Sequence, residues 1–161
     1  MSTLYVDTIN EKTTGNGIYM PGHILQVVQA TSGTGMQTSV ANTWHDLAPT
    51  VTITPKSSSS KVLVSHTGAM MHYVLTGSGF FRLLRDSTEV VQVGRTYTEL
   101  PSNDWQGYIA AFEYLDEPST TSAVTYKWQI QISNSGGAVR HNDSSGSFTP
   151  KAITMAKEVG G

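Results

Sequence analysis

The sequence contains no cysteine. A disulfide framework and thiolate chemistry, as nucleophile or metal ligand, are therefore excluded. Charge is scarce too, at 14% of residues, against about 25% in an ordinary soluble domain. The ten Lys and Arg and twelve Asp and Glu are spread thinly, and the net charge is −2. The basic footprint that nucleic acid requires is missing. No apolar run approaches the ~18 residues needed to cross a bilayer. The opening Met1-Ser2-Thr3-Leu4-Tyr5 lacks the basic-then-apolar order of a secretory leader, so the sequence reads as a complete chain, made in a cytoplasm and left unprocessed. Long helical periodicity is absent as well.

Ser and Thr fill the space that charge leaves, at roughly a quarter of the chain, well above usual composition. Thr is β-branched and suits a pleated surface, while Ser and Gly suit turns. Length, at 161 residues, fits one domain able to bury about two-thirds of its unfolded surface. From His23 onward, strand-like runs recur at His23–Thr31, Thr43–Leu47, Val51–Thr54, Lys61–Leu75, Phe80–Arg85, Glu89–Arg95, Gln106–Asp116, Ala123–Ser133, Ala138–Asn142 and Ser147–Val159. Turn signals separate them at Pro55–Ser60, Gly77-Ser78-Gly79, Pro101–Asp104, Glu117–Ser122 and Asn134–Gly137. The clearest run is Tyr126-Lys127-Trp128-Gln129-Ile130-Gln131-Ile132, whose strict alternation marks a strand with one dry and one wet side. Tyr108, Ala110, Phe112 and Tyr114 repeat it. This spacing predicts an all-β, antiparallel β-sandwich of jelly-roll type.

Residues 1–22 read as an extended N-terminal arm and residues 23–161 as the head. Leu4, Tyr5, Val6 and Ile9 form one short strand and Ile18, Tyr19 and Met20 another, too little to fold alone. The arm is expected to lie on another surface. Two head strands carry apolar residues on both faces. Leu25 and Val27 oppose Ile24 and Val28, and Phe80 and Leu84 oppose Phe81 and Leu83. Such strands need cover on both sides, and an uncovered patch is an association site. These faces predict that identical chains shield one another.

Signals for chemistry are weak. No Gly-x-Ser-x-Gly elbow occurs, and the Gly-x-Gly pieces at Gly15, Gly33 and Gly77 lack the rest of a phosphate loop. Glu113, Asp116 and Glu117 do not have the spacing of an acid/base pair across a cleft. Hence no catalytic residue and no cofactor are assigned, and the chain is not expected to be an enzyme. His66 and His72 fall on one face of a strand with Val62, Val64 and Met70 unless Gly68 bulges it. No third ligand completes a metal site, so hydrogen bonding within the sheet or a subunit contact is the better reading. Tyr97, Asn103 and Trp105 form a candidate glycan contact, where aromatic rings would stack on a sugar beside an amide. The alternative places Trp105 and Tyr108 in the core.

Leu4-Tyr5-Val6-Asp7-Thr8-Ile9-Asn10-Glu11-Lys12-Thr13-Thr14-Gly15-Asn16-Gly17-Ile18 and Pro21-Gly22-His23-Ile24-Leu25-Gln26-Val27-Val28-Gln29 resemble segments of phage fibre and virion proteins. So do Thr52–Val64, Phe81–Thr88 and Tyr114–Thr121. Together they resemble small tail-fibre-like virion proteins of marine and cyanobacterial bacteriophages over most of the chain. The resemblance implies a homotrimer in the virion, whose arm engages neighbouring chains or other virion proteins, tail or major capsid protein. It further implies a head free to touch a host surface glycan. Long fibre shafts and repeats are missing, which leaves a capsid decoration protein as the alternative and a free-standing carbohydrate-binding module as a third. Neither nucleic acid nor membrane insertion is expected.

Overall fold

The computed structural model describes residues 8–10, 22–73, 76–99, 105–133, 137–142 and 150–161, with backbone alone at 73, 76, 77 and 95–99. The regular elements are all strands: β1 (Ile24–Ser32), β2 (Met36–Thr38), β3 (His45–Asp46), β4 (Val51–Ile53), β5 (Lys61–Tyr73), β6 (Thr76–Arg85), β7 (Thr88–Glu99), β8 (Trp105–Asp116), β9 (Val124–Ile132), β10 (Ala138–His141) and β11 (Ala152–Val159). No helix occurs among the described residues. The antiparallel β-sandwich expected from the alternating runs is what forms.

The thirteen-residue β5 is the spine of the first sheet. On one side it pairs with β8 along nearly its whole length, from Val62↔Asp116 to Tyr73↔Trp105. Its other side is shared end to end, β11 taking Lys61 to Thr67 and β10 taking Met70 to Tyr73. Beyond these lie β1 on β11 and β2 on β10. The second sheet has β9 and β6 at its centre, β7 at one edge, and β3 and β4 sharing the other. The chain crosses between sheets after β2, β4, β5, β7, β8 and β9, so each sheet is assembled from strands distant in sequence.

The dry faces meet where alternation placed them. Tyr126, Trp128, Ile130 and Ile132 point inward from β9, and Val62, Val64 and Met70 from β5, all essentially without exposure. Phe112 bridges the sheets, its ring 4.4 Å from Phe81 and 5.2 Å from Trp128. At one end of the core, Asp116 of β8 accepts from the Tyr126 hydroxyl at 2.6 Å and from Arg85 Nη1 at 2.8 Å. Burial, then the bond to Asp116, pushes the Tyr126 phenol well above its usual range. Breaking such a clasp leaves buried donors unpaired. Asp116→Ala is expected to cost about 2 kcal/mol, discounted because Arg85 is partly exposed. Urea unfolding followed by tryptophan fluorescence measures it.

Several sequence expectations are corrected. Gly77-Ser78-Gly79 is no break but part of β6, because Gly79 is paired on both sides, with Ile132 and with Thr96. Ladder pairing on two edges overrides turn propensity. The short β2 had no run long enough to announce it. β11 begins at Ala152, after Pro150 and Lys151 outside any strand, and positions 147–149 of the expected run lie outside the described residues. A register shift between Ile24 and Gln26 turns Ile24 to the same side as Val27 instead of opposite it, while Val27 and Val28 do face opposite ways, Val27 outward and Val28 against the core. The pairing of β5 with β8 runs through Gly68 without a shift, so this glycine makes no bulge.

Candidate functional site

Strand pairing sets paired residues side by side on one face, so the register reads out the outer surface of the first sheet row by row. One row holds Ile24, Val159 and Lys61; the next Val27, Lys157, Leu63 and Leu115; then Gln29, Met155, Ser65 and Glu113; then Thr31, Ile153, Thr67 and Ala111; then Ala69 and Ile109; then Arg140, Met71 and Gly107. Relative exposure reaches 68% at Ile109, 58% at Ile24, 54% at Val27, 44% at Leu115 and 39% at Ile153. Five of the seven exposed large hydrophobic side chains among the described residues thus share one sheet face. Small residues at its middle leave an open depression of about 250 Å³ lined by Ser65, His66, Thr67, Ala111, Phe112 and Glu113. Ile109 projects one row away. The edge of the sheet beside it is also open, since β8 pairs only with β5 among the described residues. Unpaired edges and contiguous apolar rows are what association uses.

The second sheet contrasts with this. Its outer surface carries a polar network in which Arg82 Nε donates to Gln129 Oε1 at 2.7 Å and Nη1 to Glu89 at 2.8 Å. Lys127 Nζ and Gln129 Nε2 both donate to Asp46. Partial burial pushes the Asp46 carboxyl up, yet those two bonds and the cations Lys127 and Arg82 outweigh it and hold its pKa below normal. The Arg82 guanidinium also lies 4.3 Å above the Trp44 ring, a favourable cation–π placement. Leu84, expected to need a partner, is already buried by its own chain. Among the described residues, only the first sheet leaves large apolar side chains of its strands exposed.

Of the sequence-predicted arm residues, Leu4, Tyr5, Val6, Ile18, Tyr19 and Met20 lie outside the described residues, and Ile9 is exposed. Gly22 N donates to Gly160 O at 2.7 Å, which places the junction of arm and head beside the end of β11. In the candidate glycan contact, Asn103 and the Tyr97 side chain also lie outside the described residues. Trp105 is half-buried, with the Arg140 guanidinium 4.1 Å from its ring centroid, so one ring face is already occupied at the margin of the apolar surface. Tyr108 packs against the core.

His66 and His72 do point inward together with Val62, Val64 and Met70, all buried. Burial holds the His72 imidazole below its usual pKa. His66 finds His141 rather than His72, Nε2 to Nε2 at 3.1 Å. Among the described residues no group of three His, Cys, Asp or Glu side chains is placed to hold a metal. The sequence reading missed His141, because 75 residues separate it from His66 and only the pairing of β10 on β5 unites them.

No protein-family model matches the chain, and no curated protein matches it. Among solved structures it is similar to a chain of infectious bursal disease virus, Gt strain, with TM-score 0.32 and 14% identity, covering 83% of this chain and 36% of that one. A chain of the T13 IBDV viral particle gives TM-score 0.31 and 12% identity over 83% and 35%. The protein spans about a third of the length of both viral chains, and superposition at this level assigns no function.

Proposed function

We propose that this chain is a non-enzymatic structural subunit of a bacteriophage particle, a homotrimeric fibre-like tail appendage with its β-sandwich head turned outward. The observation that carries the reading is the uncovered apolar face on β1, β11, β5 and β8, set against a polar outer face on the other sheet. A sandwich that worked alone would have little use for that asymmetry. Copies of the same chain are the occupant that fits. The face offers both a projecting Ile109 and a depression between Ser65 and Ala111, and it bears cations at Lys157 and Arg140 and an anion at Glu113, on opposite flanks of β5.

Strand order supports the reading. We read the order β1–β11–β5–β8 in one sheet and β4–β9–β6–β7 in the other as the double Greek key of a jelly roll, an architecture used by viral capsid and lectin domains. Fold alone does not choose among such roles. The resemblance of Leu4–Ile18 to fibre segments places the arm on the particle side. The head then remains free for a host glycan, where three weak contacts would add through effective concentration.

Localisation on purified particles by electron microscopy, with copy counting, tests this directly. Copies confined to the tail are expected. Copies spread over the head shell would replace the tail assignment by capsid decoration, and absence from particles would overturn the virion reading altogether.

A further inference from the structure

Three strands of the first sheet meet at one buried point. β5 brings His66, β10 brings His141 and β11 brings Thr154, all essentially without exposure. The hydrogen bonds there have a forced direction. Thr154 Oγ1 donates its one hydrogen to the Pro49 carbonyl at 2.8 Å. Toward His66 Nδ1, 2.9 Å away, it can therefore only accept. His66 then carries its proton on Nδ1 and presents a lone pair at Nε2. His141 Nε2, 3.1 Å from it, must donate. That leaves His141 Nδ1 unprotonated, buried and without a partner.

We infer that this directed chain is an acid-released lock on the first sheet, joining β10 and β11 to β5 only while both imidazoles are neutral. A further proton has two places to go. On His66 Nε2 it would face the His141 hydrogen and break the bond. On His141 Nδ1 it would create a charge with nothing to solvate it. The surroundings offer no compensation. Phe112 of β8 lies parallel to His66, their ring centroids 6.3 Å apart, while Glu113 and Arg140 belong to the outward rows. Other titratable groups face the interior on these elements and on those packed against them. Of these, His45 is bound to Thr38, Glu158 to Gln26 and the Lys56 amide, and Asp116 to Arg85 and Tyr126. His72 and Tyr108 lie on the same interior faces as the pair. Neither imidazole of the pair has a carboxylate at ion-pairing distance among the described residues.

Burial, joined for His66 by the neighbouring His141, pushes the two imidazoles down to about 3 and about 4, from the ordinary 6.5. The opened state, with ordinary imidazoles, binds protons first. Stability is therefore complete above about pH 6.5 and declines as pH falls toward the folded values, with opening favoured roughly tenfold per pH unit for each imidazole.

Nitrogen-15 histidine spectra and amide exchange on the full chain test the lock. At about pH 7 His66 is expected as the Nδ1–H tautomer and His141 as Nε2–H, and both should stay neutral at about pH 5, where a free imidazole is charged. Amide protection in Ala138–His141 and Ala152–Val159 should fall with acid. His141→Gln, which keeps an N–H donor toward His66 but cannot titrate, should reduce that slope by about one proton. Reversed tautomers, a charged imidazole at about pH 5 or an unchanged slope would overturn the inference. If the variant does not fold, the tautomers of the natural chain decide.

Discussion

Lysine at both Ile109 and Leu115 is expected to reduce the protein to single chains of 17.4 kDa while leaving the head folded. Both side chains project from β8 into the uncovered face and are largely exposed in one chain, so their replacement removes little from the fold of that chain. For the single chain, surface changes of this kind stay within about 0.5 kcal/mol each, so the variant should keep its β-sheet circular dichroism and a cooperative thermal transition, its midpoint lowered mainly by the association it has lost. Association should respond very differently. Each aliphatic group that loses its remaining exposure contributes roughly 1 kcal/mol, and an ammonium forced into the same contact must be desolvated without a partner. A combined penalty of about 4 kcal/mol corresponds to roughly a thousandfold weaker association. Light scattering across a concentration series reads it, with the natural chain expected at three times the single-chain mass. A double variant that keeps the natural mass would clear this face of any role in assembly. A natural chain that stays single at high concentration would remove the physical basis for an oligomeric virion subunit.

Gly68→Ala is expected to cost about 3 kcal/mol, a large loss for adding one methyl group. A Cβ at this position would sit 2.6 Å from Nε2 of His141 and 3.2 Å from Cβ of Ala152. The His141 ring is fully buried and cannot swing into solvent. Overpacking of this kind costs about 1–3 kcal/mol, and pushing His141 off His66 strands a buried nitrogen, a further ~1–3 kcal/mol. The neighbouring strand supplies a control, because a Cβ at Gly107 would meet nothing nearer than 3.8 Å. Gly107→Ala should stay within about 0.5 kcal/mol. Equal midpoints for the two variants in urea would show that close approach is not why Gly68 stands there.

Fold class was legible because alternation is a local signal. Tyr126 to Ile132 announced its dry side residue by residue, and the structure buries that side completely. Tyr108, Phe112 and Tyr114 likewise face the core, which left Ile109 and Leu115 for the outside. Boundaries were less legible where pairing, not propensity, decided them. Gly77 and Gly79 signal a turn when read locally, yet both lie in β6, Gly77 paired with Thr98 and Gly79 laddered on both sides. The shift at Leu25 could not be foreseen either. It depends on how β1 meets β11, and it places Ile24 and Val27 on one face instead of two.

Local pattern by itself settled that this protein is all-β and that one side of each main strand is dry. Period-two alternation and turn residues act between near neighbours, so the linear order contains them. Tertiary structure alone decided which greasy side stays open and which is closed by its own chain. It alone brought His66, His141 and Thr154 to a single point and gave Gly68 its purpose. Those outcomes depend on which strand lies beside which, and such contacts join residues 75 and 88 positions apart, beyond the reach of any local periodicity.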